Sequence, residues 1–340
     1  MEQRLMSCSV LATALLDRYP VCWFSLSCKG LWCVNLDNDG VRSDVSSPQT
    51  VEVASLLSWR RQQRMLGGRA VDLAWLLDLG AGLRWSELQR IQLNPEGVVM
   101  LSRSLDELSG LWLRHLENEA PLQYLLGLSP WRDVVLEVSP AVLIPRQETE
   151  LLVDLALQCW PQTPPRSWVD LGTGSGAIAV SLSRAWPEAE GHAVDCSAAA
   201  LSLADRNLRA LAPGHRCQMH QGDWWEPFRP LRKTFDLVVS NPPYIPSGVI
   251  PSSDGVVRLH EPHLALSGGS DGLHALRSII QGAIEALAPN GWLMLEHHHD
   301  QSAAVIALMG EVGLIHARAQ QDLGGIARFA VAQKMASPAA

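Results

Sequence analysis

The chain has 340 residues, of which 47% are hydrophobic and 18% charged, with a formal net charge of −8. These fractions exclude a disordered chain and supply sequence for about two domains with a sizeable core. The acidic balance excludes a molecule drawn to nucleic acid by bulk charge, leaving only a local basic patch able to do so.

Seven cysteines are present. Cys8, Cys22, Cys28 and Cys33 crowd the start, Cys159, Cys196 and Cys217 follow, and no C-x-x-C pair occurs. The odd count and irregular spacing argue against a disulfide framework and a zinc site, so the cytoplasm is the expected compartment. Residues 5–16 have the length of a signal-peptide core, but Ser7, Cys8, Ser9 and Thr13 dilute it. No apolar run is long enough for a membrane span.

Residues 1–50 are rich in Cys and Ser and carry the turn signals Asp37-Asn-Asp-Gly40 and Ser46-Ser-Pro48 without a sustained period. An atypical, poorly ordered extension is expected there. Over 51–126 the pattern predicts a small helical domain. Helices are expected over 53–66, 71–79 and 86–92, divided by Gly67-Gly68, by Gly80 with Gly82, and by Asn94-Pro95. Leu105, Leu108, Leu111, Trp112 and Leu116 recur at helical steps, and Ser104 with Glu107 has capping-box spacing. Residues 127–146 read as a linker hairpin, in which Val134, Leu136 and Val138 alternate with Val135, Glu137 and Ser139 before Pro140.

From 147 to 335 helices and strands alternate as in a doubly wound, mostly parallel α/β sheet. Helices are predicted at 149–159, 177–186, 198–211, 272–287 and 301–309. Strands are predicted at 168–171, 190–194, 216–220, 235–240, 292–296, 314–319 and 326–333. A long Pro/Gly/Ser-rich loop is expected over 245–270.

Two motifs carry chemistry. Asp170-Leu-Gly172-Thr173-Gly174-Ser175-Gly176 lies at a strand-to-helix junction, where glycines let backbone approach a ligand and a helix start offers free N–H groups. Gly172, Gly174 and Ala177 also satisfy a dinucleotide pattern. Asp195 ends the next strand and can accept from both hydroxyls of a ribose. The loop therefore predicts a nucleoside-bearing cofactor without saying which. Asn241-Pro242-Pro243-Tyr244 follows the apolar strand 235–240, at the sheet edge where such folds bind ligands. An Asn side-chain carbonyl and a nearby backbone carbonyl can accept the two protons of a planar NH2 group, while Tyr244 packs on its flat face. After the Gly loop this points to methylation of a planar amide or amino nitrogen.

With these residues in order, the chain resembles the release-factor glutamine methyltransferases (HemK-type) from about residue 51 to 333. The resemblance rests on Pro121-Leu-Gln-Tyr124-Leu-Leu-Gly127, Leu143-Ile-Pro-Arg-Gln-Glu-Thr-Glu150, the Gly loop, Asp195, Gly222-Asp-Trp224, Asn241 to Tyr244, and Glu261-Pro-His-Leu-Ala-Leu-Ser-Gly-Gly269 leading into Asp271-Gly272. It implies a helical domain that docks the protein substrate. A class I S-adenosylmethionine (AdoMet) methyltransferase domain follows, Rossmann-like, with an antiparallel last strand. The implied reaction methylates the side-chain amide nitrogen of the Gln in the Gly-Gly-Gln motif of class I peptide chain release factors. Carried over by position, Gly172, Thr173, Gly174, Ser175, Gly176, Asp195, Trp224 and Asn241 contact AdoMet. Asn241, Pro242, Pro243 and Tyr244 hold the amide, and the segment with Arg146 and Glu148 lines the mouth. The family's Arg-Pro-Glu-Thr-Glu stands here as Arg146-Gln-Glu-Thr-Glu150, its Glu…Gln stretch reads Glu296-His-His-His-Asp-Gln301, and residues 1–50 match nothing in it.

Neither a metal, nor stable nucleic-acid binding, nor a membrane is expected, and the chain is taken as a monomer. His297-His-His299 is read as metal-free, because neighbours on a strand end point to opposite sides. Cys196 is read as a small packing residue, and Arg60, Arg61 and Arg64 as a solvated helix face. No general base stands out beside Asn241, and none is required once the methylated nitrogen is cationic. Two other functions fit parts of the pattern. A nucleic-acid adenine methyltransferase would use the same clamp but needs a basic recognition surface, and a non-catalytic AdoMet-fold module would require a damaged loop or clamp.

Overall fold

The computed structural model describes residues 48–229, 234–252 and 254–336. The expectations for the extension and the segment 5–16 lie outside these residues, except at the boundary. Gln49 and Thr50 open a strand, β1 (Gln49–Glu52), paired antiparallel with β2 (Val98–Leu101) in the register Gln49↔Leu101. This ribbon was not anticipated, because strands of 4 residues are too short to show a period.

Between and after them come α1 (Val53–Leu66), α2 (Ala70–Trp75), α3 (Trp85–Leu93), α4 (Leu105–Asn118) and α5 (Leu122–Leu126), with a wide π turn at Leu76–Gly80 prolonging α2. The α4 start is the capping box expected: Ser104 Oγ accepts from the Glu107 N–H at 3.1 Å, and the Glu107 carboxylate from the Ser104 N–H at 2.7 Å. Leu56, Leu77, Leu88, Leu101, Leu108 and Trp112 close a core of their own. A hairpin, β3 (Leu128–Trp131) with β4 (Val134–Glu137), leads out of this region.

The α/β part runs α6 (Glu150–Cys159), β5 (Ser167–Leu171), α7 (Ala177–Ala185), β6 (Glu190–Asp195), α8 (Ala198–Leu211), β7 (Cys217–Gln221) and β8 (Phe235–Ser240). Then come α9 (Gly255–His260), α10 (His263–Leu266), α11 (His274–Ala286), β9 (Leu287–Glu296), α12 (Ser302–Glu311), β10 (Ile315–Gln321) and β11 (Ala327–Gln333). The loop expected over 245–270 thus contains, among its described residues, a 3-10 turn at Ile250–Ser252 and the short helices α9 and α10. Asp254 caps α9, its carboxylate accepting from the Val256 N–H at 2.9 Å.

The strands form one sheet in the order β10-β11-β9-β8-β5-β6-β7. Neighbours are parallel, except that β11 is antiparallel to both β9 and β10. This is the class I AdoMet-dependent methyltransferase fold, with helices on both faces. β5 is buried along its whole length, as a strand covered on both faces must be. One core layer packs Leu152, Ile178 and Leu182 on Trp168 and Val239, and the other packs Leu276, Ile279 and Val305 on Val169 and Val238. Buried Asn207 on α8 joins the hairpin to the Gly loop. Its carbonyl accepts from the Glu137 N–H at 2.8 Å, and its NH2 donates to the carbonyls of Glu137 (2.9 Å) and Ser175 (2.8 Å). Among the described residues no helix is long and apolar enough to cross a membrane.

Candidate active site

Strand order reverses between β5 and β8, and a reversal of this kind opens a crevice beyond the carboxyl ends of the two strands. The Gly loop leaves β5 there and Asn241 leaves β8. The strands are in register at Asp170↔Val239, and Ser240 Oγ donates to the Leu171 carbonyl at 2.5 Å, so both motifs start from one level.

The loop turns because the N–H groups of Gly172 and Thr173 both donate to the Val194 carbonyl, at 2.8 and 2.9 Å. Thr173 Oγ1 donates to Asp170 at 2.7 Å beneath it. Burial pushes the Asp170 carboxyl up to about 7. Gly172 has φ 75°, and a Cβ there would come within 3.3 Å of the Trp224 ring, so indole and loop backbone are in close approach. Asp195 accepts from the N–H groups of Gly174 and Ser197, each at 2.9 Å. The Cys196 thiol adds a weak, long bond to the same carboxylate at 3.9 Å, and with about four lone-pair sites a carboxylate still has capacity to accept from hydroxyls.

Two cavities meet at this edge. The larger, about 360 Å³, lies between the loop, Asp195 and Trp224 on one side and Pro262 and Leu264 on the other. That volume falls in the range of small-molecule sites, roughly 300–1,000 Å³. The smaller, about 180 Å³, is lined by Pro242, Tyr244, Ile245 and Leu266. Leu143, Arg146, Asn241 and Ala265 border both. Pro243 borders the larger cavity while Pro242 and Tyr244 border the smaller, so the Asn-Pro-Pro-Tyr segment runs along the boundary of the two.

A chain of hydrogen bonds fixes the motif from behind. Asn241 Nδ2 donates to Thr149 Oγ1 at 3.0 Å, Thr149 Oγ1 donates to Glu296 Oε2 at 2.7 Å, and Tyr244 Oη donates to Glu296 Oε1 at 3.0 Å. The Gln301 NH2 group holds the Tyr244 carbonyl at 2.9 Å. Glu296 is buried, and desolvation pushes its carboxyl up to about 7. Burial first, and then the Glu296 charge, keep the Tyr244 phenol protonated. Thr149, Glu296 and Gln301 were not among the sequence candidates. The signal for Glu296 is an acid closing the apolar run Trp292-Leu-Met-Leu295.

Other candidates fall differently. Arg146 pairs with buried Glu261 at 2.5 Å, and its backbone carbonyl accepts from the Trp131 indole at 2.9 Å, so it ties the 143–146 segment to the wall carrying Leu264. Glu148 is exposed and borders neither cavity. Gly176 also borders neither; its φ of 81° and a Cβ position 3.0 Å from Ala204 make it a helix-packing glycine. Cys196 is exposed at the rim of the larger cavity rather than packed, and burial with the Asp195 charge raises its thiol pKa. Alternation does not separate the histidine run, because β9 ends at Glu296. His297 turns inward, while ligand atoms of His298, His299 and Asp300 lie within 4.8 Å of one another.

Comparison with known proteins agrees with this geometry. The methyltransferase small domain family matches residues 148–250. The release factor glutamine methyltransferase of Prochlorococcus marinus is 50% identical over 279 residues, covering 82% of this chain and 95% of that protein. Proteins of the same name from Thermosynechococcus vestitus and Gloeobacter violaceus are 45% and 42% identical. They cover 77% and 80% of this chain, and 90% and 95% of their own lengths.

Proposed function

The chain belongs to the release factor glutamine methyltransferases, and from that premise we infer that it methylates the side-chain amide nitrogen of the Gln in the Gly-Gly-Gln motif of class I release factors. The observation that carries this reading is the position of Asn241, which borders both the larger cavity beside the Gly loop and the smaller one beside Tyr244. A donor in the first and a planar amide in the second would meet at this residue.

AdoMet suits the larger cavity. Asp195 has acceptor sites for a ribose diol, Trp224 offers a flat face beside Gly172, and Asp195 with Asp223 places negative charge around a cationic ligand. When bound, the cofactor supplies a methyl group on positively charged sulfur. Gly172 to Ser175, Asp195 and Trp224 hold it, and Gly176 contributes through packing. In the smaller cavity the Asn241 carbonyl accepts one amide proton and a carbonyl of the Pro242–Pro243 segment the other. This draws the nitrogen lone pair out of conjugation and aims it at the methyl group. Tyr244 packs against the amide plane. With AdoMet held there, the sulfonium methyl would be what the amide nitrogen receives, and the proton the nitrogen then sheds would pass from the Asn241 and Pro242–Pro243 carbonyls to water. Residues 51–126 serve as the docking domain for the protein substrate.

Transfer of labelled methyl from AdoMet tests the reading, with three acceptors compared: a purified class I release factor, its Gln→Ala variant, and duplex DNA. Label confined to the unaltered factor is expected. Label on DNA would return the acceptor to a nucleic-acid amine.

A further inference from the structure

We propose that Thr149 and Glu296 are positioning residues that set the orientation of the Asn241 amide, so that its carbonyl and not its NH2 group is offered to the acceptor nitrogen. The inference rests on the reading of Asn241 as the amide clamp and assigns a role to two residues outside both motifs.

Asparagine has a carbonyl and an NH2 of nearly the same shape, and a clamp built on it works in one orientation only, because the substrate amide brings two donors. An Asn presenting its NH2 would meet donor with donor. The residues behind Asn241 remove that choice. Glu296 as a carboxylate can only accept, so the Thr149 hydroxyl, 2.7 Å away, gives it its proton. The Thr149 oxygen is then left as an acceptor and takes a proton from the Asn241 NH2 group at 3.0 Å. Donor direction is thus set at the acid and transmitted through one hydroxyl to the amide. The second Glu296 oxygen accepts from Tyr244 at 3.0 Å, so one buried acid fixes both the clamp and the ring beside it. The fold brings the three together. Ser240 pairs with Leu295 across β8 and β9, which sets Asn241 beside Glu296, and Thr149 precedes α6 against both. Thr149 and Glu296 are 5% and 2% exposed, so water is a poor substitute for either.

Thr149→Val keeps the shape and removes the hydroxyl. Methyl transfer to the release factor should slow about a hundredfold in kcat, the scale of loss from a misplaced reacting group, with AdoMet affinity unchanged. Thr149→Ser should restore most of the loss. Glu296→Leu should slow kcat similarly, and Thr149→Val with Glu296→Leu should be little worse than either alone, as for groups acting through one path. The rate of the unaltered enzyme should rise as pH passes upward through the Glu296 titration, and Glu296→Leu should abolish that rise. A second readout needs no turnover: the Asn241 side-chain amide protons, followed by NMR, should show a hydrogen bond that is lost in Thr149→Val and regained in Thr149→Ser. Unchanged kcat and unchanged amide signals in Thr149→Val would overturn the assignment, as would a Thr149→Ser variant no better than Thr149→Val. An enzyme inactive on the release factor whose amide signals still respond as described would instead refute the function and leave the orienting role standing.

Discussion

The side-chain nitrogen of Asn241 lies 3.0 Å from the hydroxyl of Thr149, a residue 92 positions earlier in the chain. The proposed clamp is therefore held across the linker-to-sheet junction rather than within its own motif. Asn241→Ala removes the acceptor for the developing ammonium and leaves the Gly loop and Asp195 intact. It should change AdoMet affinity far less than turnover, which should fall about 10²- to 10³-fold. Calorimetric titration with AdoMet beside single-turnover methyl transfer separates the two effects.

The Gly-loop glycines should respond in two ways. Both Gly172 and Gly176 have positive φ, where an L side chain costs about 1–2 kcal/mol. Gly172→Ala also pushes on the Trp224 ring and should weaken AdoMet affinity about tenfold, roughly 1.4 kcal/mol. Gly176→Ala drives a methyl into Ala204 and should chiefly lower stability, by about 1–3 kcal/mol. Denaturant midpoints and cofactor titrations on the two variants check the split.

How much of this could be read from the sequence depended on element length. The strands and helices from residue 149 onward were anticipated because a long amphipathic helix, or an apolar strand between turn signals, declares its own period. The β1–β2 ribbon, α9 and α10 were not, since runs of 4 to 6 residues complete too little of any period to show one. The site divided along similar lines. Gly172, Asp195 and Asn241 belong to spacings with a chemical meaning, whereas Thr149 and Glu296 act through a contact that only the folded sheet creates. Glu148 came from the resemblance as part of the segment lining the mouth, and Thr149 directly after it was not included. Glu148 faces solvent, and the neutral neighbour faces the site.

Asn207 offers a test of the scaffold. Asn207→Leu would leave the Glu137 N–H and the carbonyls of Glu137 and Ser175 without their partner. An unsatisfied buried polar group costs about 1–3 kcal/mol, so urea unfolding should show a loss at least as large as a single such group.

Asp170 should make stability depend on pH in a definite direction. Its folded pKa is raised to about 7 from an ordinary 3.8, so between these values the folded state holds a proton that the unfolded state has released. Its contribution is fully present below about pH 4 and is lost as pH rises through 7. Asp170→Asn should flatten that part of the stability profile, as read from thermal unfolding across the window. An identical slope in the variant would contradict it.

The most direct test of the account is peptide mapping by mass spectrometry of a class I release factor after incubation with AdoMet and either the unaltered enzyme or Asn241→Ala. One methyl group on the Gly-Gly-Gln glutamine amide is expected with the unaltered enzyme, and none with Asn241→Ala even though that variant binds AdoMet. A methyl group on another residue, or equal modification by the two enzymes, would contradict it.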